Sequence, residues 1–460
     1  MITKKREPWL ALSLLMAVAY LLYANTFGNA WTYDDFPVIV QNPDIRSLEN
    51  FFTNTYPGRP LREITFLLDH TLFGLNPTGW HIQQIFWHGL NAGLIYLLVR
   101  RLKGTPAMAG IASLLFLVHP IHVEVVANIS HRKDLLALTF SILSLFMYIR
   151  ATETHTLQRF WSIFGALATM IIAYSAKQNA IVLPLVFIAY EHAYLTGKDR
   201  ILLRFPKLLA AFFVTGGIGA LSWLFLSGAT KMRYWQIQGV LSKLDYFSGA
   251  DEGVYLVTVL KSWGFMFLKL LWPLNLGAEY TYSIPASWLD PWVICAISGT
   301  IIYALFLWLA STRWPIVFLA LAWNAIFWLP TSNLLWPLNY FSADRYLYLP
   351  SVGFFLLVGV VLGKALSHKR VVVGITTFTL LAVLSTLTWK QNRVWSSPLT
   401  LWSNAVKVSP SSSYALTKLG TIYLYKGELF KAIPLLQKAT QNPYNFDAKE
   451  SLQAAYRKLK

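Results

Sequence analysis

The chain has 460 residues, of which 55% are hydrophobic and only 13% are charged, and its mean hydropathy is +0.47. Soluble domains carry roughly 25% charged residues, so this composition indicates a polytopic membrane protein. The 15% aromatic content excludes a disordered chain, and the single cysteine excludes a disulfide framework and a cysteine-based zinc site. The formal charge of +18 is split into short basic clusters between apolar runs, which is typical of membrane loops, so no nucleic-acid partner is expected.

Apolar runs of about 20 residues predict eleven membrane-spanning helices. The segments assigned to the cytoplasmic side total 39 residues and hold 16 Lys or Arg, whereas the opposite loops total 113 residues and hold nine. The positive-inside rule therefore predicts a cytoplasmic N-terminus and a C-terminus on the outer side. The first span lies within the uncharged run 8–33, and the others are 81–100, 105–126, 133–150, 159–175, 178–195, 206–227, 289–311, 314–330, 350–366 and 371–389.

The apolar segment 255–275 is the least regular of the hydrophobic runs. It carries Lys261 and Lys269, which predicts an interfacial or re-entrant helix in place of a full crossing. A full crossing there would move the C-terminus to the cytoplasmic side. The predicted fold class is therefore an all-α polytopic membrane protein with about 11, and up to 13, transmembrane helices.

The sequence becomes polar and basic from Gln391 onward, which divides the chain into a membrane domain, 1–390, and a tail, 391–460. The tail is predicted to contain one and a half to two tetratricopeptide-like repeats. That is too few to be stable alone, so the tail is expected to pack on the membrane domain or on a protein partner. A plain helical hairpin is the alternative. Residues at the spacings of a tetratricopeptide repeat are Leu419, Gly420, Tyr423, Gly427, Ala432, Leu436 and Ala439.

The first outer loop, 29–80, contains six acidic and three basic residues and begins with Tyr33-Asp34-Asp35. Adjacent carboxylates in an extended segment point to opposite faces, so one can meet a substrate while the other binds a basic side chain or backbone donors. A desolvated carboxylate at the membrane edge can act as a general base, and a turn-forming acid pair is the alternative. Arg59 could clamp a phosphate or pair with these acids.

Basic residues also recur at the outer ends of later spans. Lys177 is placed either to snorkel or to hold a lipid phosphate, and Arg132 either to hold an anionic headgroup or to pair with a neighbouring acid. In the last outer loop, Arg345 and Tyr346 suit contact with a sugar or phosphate, whereas a membrane aromatic belt would explain the tyrosines but not the Asp344–Arg345 pair.

His119, His122 and Glu124 lie within six residues of one another, as a set of metal ligands often does. Their spacing does not bring all three to one helix face, so they are predicted to support the site. If a divalent cation binds, Asp34 or Asp35 is the expected ligand. The sequence does not establish any cofactor.

Five motifs followed by the tail occur in one order and carry a specific resemblance. The sequence resembles the family of transmembrane and tetratricopeptide-repeat O-mannosyltransferases and their bacterial homologues, which are GT-C glycosyltransferases. The motifs are Tyr33-Asp34-Asp35, Arg59-Pro60-Leu61 with Thr65-Phe66, His81 with His88, His119-Pro120-Ile121-His122-Val123-Glu124 with Arg132-Lys133-Asp134, and Asp344-Arg345-Tyr346-Leu347-Tyr348.

The resemblance implies a GT-C-like helical bundle, a polyprenyl- or dolichyl-phosphate sugar donor and a site on the outer or lumenal face. It also implies that the acid of the first outer loop activates the acceptor hydroxyl, and Asp34 matches the first acid of that motif and Asp35 the second. The tail is much shorter than the arrays of the animal proteins, and Gln84 stands where Asn is common. These departures leave the acceptor open.

The predicted function is single-displacement glycosyl transfer to a hydroxyl of protein Ser or Thr, or of a glycan. Arg345 and Lys177 would neutralise the leaving phosphate, with Arg132 in support. The expected location is a bacterial inner membrane, with the site facing the periplasm and in contact with membrane lipids. A flippase would need midplane charges or inverted repeats. A non-catalytic scaffold explains the tail but not the acids and bases on one side.

Overall fold

The computed structural model describes residues 6–54, 59–203, 252–281, 288–335, 338, 340–442 and 445–459. Every regular element in these ranges is helical, which confirms the predicted all-α class. The α-helices are α1 (Glu7–Tyr23), α2 (Leu48–Asn54), α3 (Pro60–Phe73), α4 (Pro77–Arg101), α5 (Pro106–Val118), α6 (Val123–Ala127), α7 (Arg132–Glu153), α8 (Thr156–Ala176), α9 (Leu183–Tyr194), α10 (Glu252–Leu271), α11 (Pro291–Arg313), α12 (Pro315–Trp328), α13 (Ser351–His368), α14 (Arg370–Val394), α15 (Pro398–Val408), α16 (Ser413–Tyr425), α17 (Leu429–Ala439) and α18 (Phe446–Leu459).

Six of the described helices are long and apolar enough to cross a membrane, namely α1, α7, α8, α11, α13 and α14. A seventh crossing is available if α5 and the following segment Pro120–Ala127, which are bent by 52°, form one broken span. The chain is thus an integral, multi-pass membrane protein. The predicted spans 81–100, 178–195 and 314–330 correspond to α4, α9 and α12, whereas 206–227 lies outside the described residues.

Of α4, α9 and α12, helix α4 has the most polar sequence, and its polar residues lie inside the bundle. Gln84, His88 and Asn91 are fully buried and hydrogen-bond to neighbouring segments, so they meet protein and not lipid. In hydrocarbon every polar group needs an internal partner, and this placement supplies them. Polarity here therefore marks an interior helix.

The loops gather at two ends of the bundle. At one end, Arg100 Nε lies 3.0 Å from a Glu7 carboxylate oxygen, and Glu191 accepts the backbone N–H of Leu203 at 2.8 Å. At the other end, the Ala30 N–H donates to the Ser396 carbonyl at 3.0 Å. The positive-inside rule likewise placed the first group of segments on one side of the membrane and the second group on the other.

Helix α10 contains most of the ambiguous segment 255–275. Near its beginning the Tyr255 hydroxyl donates to the Asn333 carbonyl at 2.9 Å, and at its middle the Trp263 indole donates to the Ser332 carbonyl at 2.8 Å. The chain just after the helix reaches Asp344 through Tyr280. These contacts tie the first half of α10 and the segment after it to the loop 331–349. The interfacial or re-entrant placement of this helix stays a prediction.

Glycines allow close helix crossings in the bundle. A Cβ atom on Gly353 of α13 would lie 2.1 Å from the Ala320 carbonyl of α12, and one on Gly359 would lie 2.7 Å from the Ala112 Cβ of α5. Close backbone approach through small residues is a main source of helix association in membranes. Helix α13 is thereby fixed between α12 and α5.

The tail begins without a flexible linker. Helix α14 continues through Gln391 to Val394, and α15 starts at Pro398 with a capping box between Ser397 and Thr400. The Thr281 N–H donates to Ser409 Oγ at 3.0 Å, which ties the tail to the segment after α10. The tail therefore packs on the membrane domain.

Candidate active site

The first acidic motif forms a tight turn. Tyr33 has φ +52°, in the left-handed region, and the Asp35 N–H donates to the Thr32 carbonyl at 2.9 Å. The segment that carries Asp34 and Asp35 was predicted to be extended, and it is a turn instead. The turn still separates the two carboxylates, because a helical turn begins at Asp35 and carries its side chain into the protein.

Asp35 is fully buried and has a structural set of partners. Its two oxygens accept the backbone N–H groups of Thr32 at 3.1 Å and of Ser130 at 2.8 Å. Burial raises the pKa of this carboxyl to about 7, although both hydrogen bonds oppose the rise. Asp35 thus joins the first outer loop to the segment before α7.

Asp34 is the carboxylate that remains available. Its side chain is partly exposed, and within the described ranges no hydrogen bond or ion pair engages it. A partly exposed carboxylate with unoccupied oxygens can accept a proton from a bound hydroxyl.

Several cations lie close to Asp34. Arg59 is half-buried, and burial together with the charge of Arg62 lowers its pKa to about 10, while the charge of Asp34 opposes this shift. Burial also lowers the pKa of Lys177, and the charges of Arg59 and Arg345 lower it further. These mutual effects require that the cations share one region of the protein.

Two of the predicted phosphate-binding residues have acidic partners. Lys177 is almost fully buried and forms an ion pair with Asp134, so it does not snorkel toward lipid headgroups. Arg345 Nη1 lies 2.5 Å from a Glu124 oxygen, and its guanidinium lies over the rings of Tyr340 and Tyr346 at 5.0 and 5.3 Å. Each pair keeps its cation in place at the end of the bundle that carries the acidic motif.

The alternative pairing of Arg345 with Asp344 is not formed. The Tyr280 hydroxyl donates to Asp344 at 2.6 Å. Burial and the nearby Glu124 charge raise the pKa of Asp344 well above its usual range. Asp344 therefore anchors the segment after α10.

Arg132 is enclosed by protein groups, in contrast to its predicted supporting role at the phosphate. It is fully buried, with Nη1 2.5 Å from Asp69, Nε 2.8 Å from Gln84 and Nη2 3.3 Å from the Trp80 carbonyl. All three nitrogens are occupied by protein. Arg132 joins α3, α4 and α7 and is not available to a ligand.

Lys133, the next residue, was predicted together with Arg132 either to hold an anionic headgroup or to pair with Asp134. It is partly exposed, and no hydrogen bond or ion pair engages it within the parts of the chain that the structure describes. The charge of Asp34 acts on it, as do those of Arg59 and Arg62. The adjacent bases were a signal, but the sequence does not tell which of them faces the bundle interior.

The His119, His122 and Glu124 set is structural. His122 bonds Ser351 Oγ at 2.9 Å and the Phe116 carbonyl at 2.8 Å, while Glu124 is held by Arg345. His119 accepts the Ile121 N–H at 3.3 Å. His122 and Glu124 contact the segment that carries Arg345, whereas His119 caps the turn before them. Their supporting role at the site stays a prediction.

A divalent cation was considered for Asp34 or Asp35. Both Asp35 oxygens are occupied by backbone N–H groups, which leaves Asp34 as the freer of the two carboxylates. Among the described residues no three His, Cys, Asp or Glu side chains converge as a ligand set. The residues described thus do not present a built metal site.

Aromatic residues form a wall beside Asp34. The Tyr33 hydroxyl lies 3.1 Å from that of Tyr340, and the Tyr33 ring lies 5.6 Å from Trp402 of the tail. Tyr414 of the tail lies against Trp402 at 5.4 Å. No pattern in the sequence indicates that the tail reaches the acidic motif.

Comparisons with known proteins agree with the motifs. A family model described as Dolichyl-phosphate-mannose-protein mannosyltransferase matches residues 64–242. The chain is 23% identical to Protein O-mannosyl-transferase F38B6.6 of Caenorhabditis elegans over 89% of this chain and 59% of the relative. It is 26% identical to mouse Protein O-mannosyl-transferase TMTC3 over 97% of this chain and 53% of the relative. The chain thus spans a little over half the length of these curated relatives.

Among solved structures, the crystal structure of ArnT from Cupriavidus metallidurans bound to undecaprenyl phosphate aligns with 97% of this chain and 76% of its own. The TM-score is 0.43 and the identity 15%. The family model and the relatives confirm the predicted resemblance to the transmembrane and tetratricopeptide-repeat O-mannosyltransferases.

Proposed function

We propose that the chain is a membrane glycosyltransferase that moves a sugar from a polyprenyl-phosphate donor to an acceptor hydroxyl of protein Ser or Thr, or of a glycan. The observation that carries this proposal is the pairing of a free carboxylate, Asp34, with a group of cations at one end of a helical membrane bundle. The resemblance to O-mannosyltransferases supports the reaction class.

Asp34 is the proposed general base. It takes the proton of the acceptor hydroxyl as the hydroxyl oxygen attacks the anomeric carbon of the donor. The bond between that carbon and the phosphate oxygen breaks, and its electron pair leaves with the lipid phosphate. One displacement forms one glycosidic bond and inverts the anomeric configuration.

Cations stabilise the leaving phosphate, so no general acid is required. Lys133 is the first candidate because no group among the described residues binds its side chain, and Arg59 is the second for the same reason. Lys177 and Arg345 complete the group and are held in place by Asp134 and Glu124. Arg132 takes no part because its donors are used within the protein.

The site is proposed to face the periplasm of a bacterial inner membrane. Its residues lie at the end of the bundle opposite the basic loops, and basic loops remain on the cytoplasmic side. A donor phosphate at that end keeps its isoprenoid chain in the bilayer and its sugar at the water interface.

The deciding experiment measures transfer of radioactive mannose from polyprenyl-phosphate mannose to membrane proteins by the purified full chain in lipid nanodiscs. Asp34→Asn should abolish transfer, because an amide cannot take the proton. Asp199→Asn is the matched control, since Asp199 is exposed at the other end of the bundle. An Asp34→Asn chain with full activity would overturn the assignment.

The same assay separates the alternatives. A flippase would move the labelled lipid across vesicle membranes without attaching mannose to protein or glycan. A scaffold would do neither. Mass spectrometry of surface glycans and glycoproteins, with and without the chain, then identifies the sugar and the acceptor.

A further inference from the structure

Tyr33 has an unusual backbone conformation for its residue type. A left-handed φ in a residue with a bulky side chain is strained and persists only where the surroundings hold it. Tyr33 also directly precedes Asp34, so a change at Tyr33 turns the Asp34 carboxylate. What holds Tyr33 therefore decides where the proposed base points.

Two of the aromatic rings that pack on Tyr33 come from beyond the last membrane helix. The Tyr33 ring lies 5.6 Å from Trp402 of α15 and 6.3 Å from Trp395, just after α14. Its hydroxyl lies 3.1 Å from that of Tyr340 in the membrane domain. Trp395 and Trp402 are nearly fully buried, so the ring rests on a firm surface.

Tyr414 of α16 extends this surface. It lies edge-on against Trp402, with ring centroids 5.4 Å apart. The negative charge of Asp34 contributes to raising the pKa of Tyr414 above its usual range, after the larger effect of burial, so the two side chains are near each other. The backbone bond from Ala30 to Ser396 closes the same interface from the other side.

We infer that the C-terminal helical unit is a working part of the site: Trp402 and Tyr414 act as positioning residues that hold Tyr33 and thereby fix the direction of the Asp34 carboxylate. This inference rests on the proposed role of Asp34 as the base. The short tail thus contributes to the transfer reaction itself, separately from any binding of a partner protein.

A thiol at position 34 reports the geometry without any need for activity. In a Cys295→Ala chain, Asp34→Cys is labelled with a charged methanethiosulfonate reagent, and the rate is followed in the full-length protein. Adding Trp402→Leu should change this rate about fivefold, because the strained turn is then free to relax. Adding Phe430→Ala is the matched control, since Phe430 is an aromatic residue of the same unit that is 90% exposed.

Activity supplies the second measurement. With Asp34 intact, Trp402→Leu should lower kcat for mannose transfer and leave the KM for polyprenyl-phosphate mannose unchanged, and Trp402→Phe should restore most of the rate. Tyr414→Leu, at a more exposed side chain, makes the same comparison if the Trp402→Leu chain does not fold.

Equal labelling rates in the Trp402→Leu, Tyr414→Leu and Phe430→Ala backgrounds would overturn the inference. Failure of the proposed function gives a different result: the labelling rate still depends on Trp402, but the unaltered chain transfers no mannose.

Discussion

Arg132 and Lys133 are neighbours in sequence, and we expect a structural role for Arg132 and a phosphate-stabilising role for Lys133. Lys133→Gln should slow transfer about 30- to 1000-fold, because it removes a charge that stabilises the leaving phosphate, and should leave stability nearly unchanged. Arg132→Gln should instead destabilise the fold by about 3–5 kcal/mol, because it leaves the buried Asp69 carboxylate without its cation. Transfer rates and thermal unfolding of both variants provide the measurement. The reverse pattern would contradict the assignment.

Lys177 and Arg345 should act together if they neutralise one phosphate. Each Gln variant should reduce turnover by about 30- to 1000-fold, and the double variant should lose less than the product of the two effects. Rates of the two single variants and the double variant, at saturating polyprenyl-phosphate mannose, measure the coupling. Fully multiplicative losses would show that the two side chains act at separate places.

Asp35 predicts a specific pH dependence of stability. Its pKa is about 7 in the folded protein, above the value of 3.8 for a free side chain, so the folded state binds the proton more tightly. Its contribution to stability is therefore present below about pH 4 and is lost as the pH rises through about 7. Thermal unfolding of the unaltered and Asp35→Asn chains between pH 4 and 8 should show a smaller decline in the variant. Parallel curves would contradict this.

At the scale of helices, the crossing of α12 and α13 depends on Gly353. Gly353→Ala should lower the unfolding temperature and the yield of folded protein, because the added Cβ meets the Ala320 carbonyl of the backbone and one helix must move. Gly374→Ala in α14 is the matched control, since a Cβ there has no atom within 4 Å. Equal unfolding temperatures of the two variants in detergent would show that this crossing adapts freely.

Helix α10 shows how far local pattern alone can be read. Two lysines in an apolar run predict an interfacial or re-entrant helix, and this stays a prediction. The structure adds that Tyr255, Trp263 and Tyr280 contact the loop 331–349. Helix α4 shows the opposite case. Its polar residues weaken it as a membrane span by composition, and only burial against neighbouring helices explains them.

For the whole molecule, the topology places the first outer loop and the tail on the same side. Single cysteines at Ser47, Asp199 and Ser411 of a Cys295→Ala chain can be tested with an impermeant thiol reagent in intact cells. Ser47 and Ser411 sites should be labelled and the Asp199 site protected, because the basic loops stay inside. Labelling of the Asp199 site alone would reverse the map. Protection of only the Ser411 site would contradict the packing of the tail on the first outer loop.

The helical class and the grouping of loops at two ends were open to prediction from the sequence, and the motif also singled out Asp34 and Asp35, whose catalytic role stays a prediction. These properties depend on local hydrophobicity, on charge counts in loops and on a short motif, each of which lies within a few neighbouring residues. The different roles of Arg132 and Lys133, and the contact between Trp402 and Tyr33, could not be predicted from the sequence. They depend on the rotation and packing of helices distant in sequence, and only the folded bundle determines which side chains meet there.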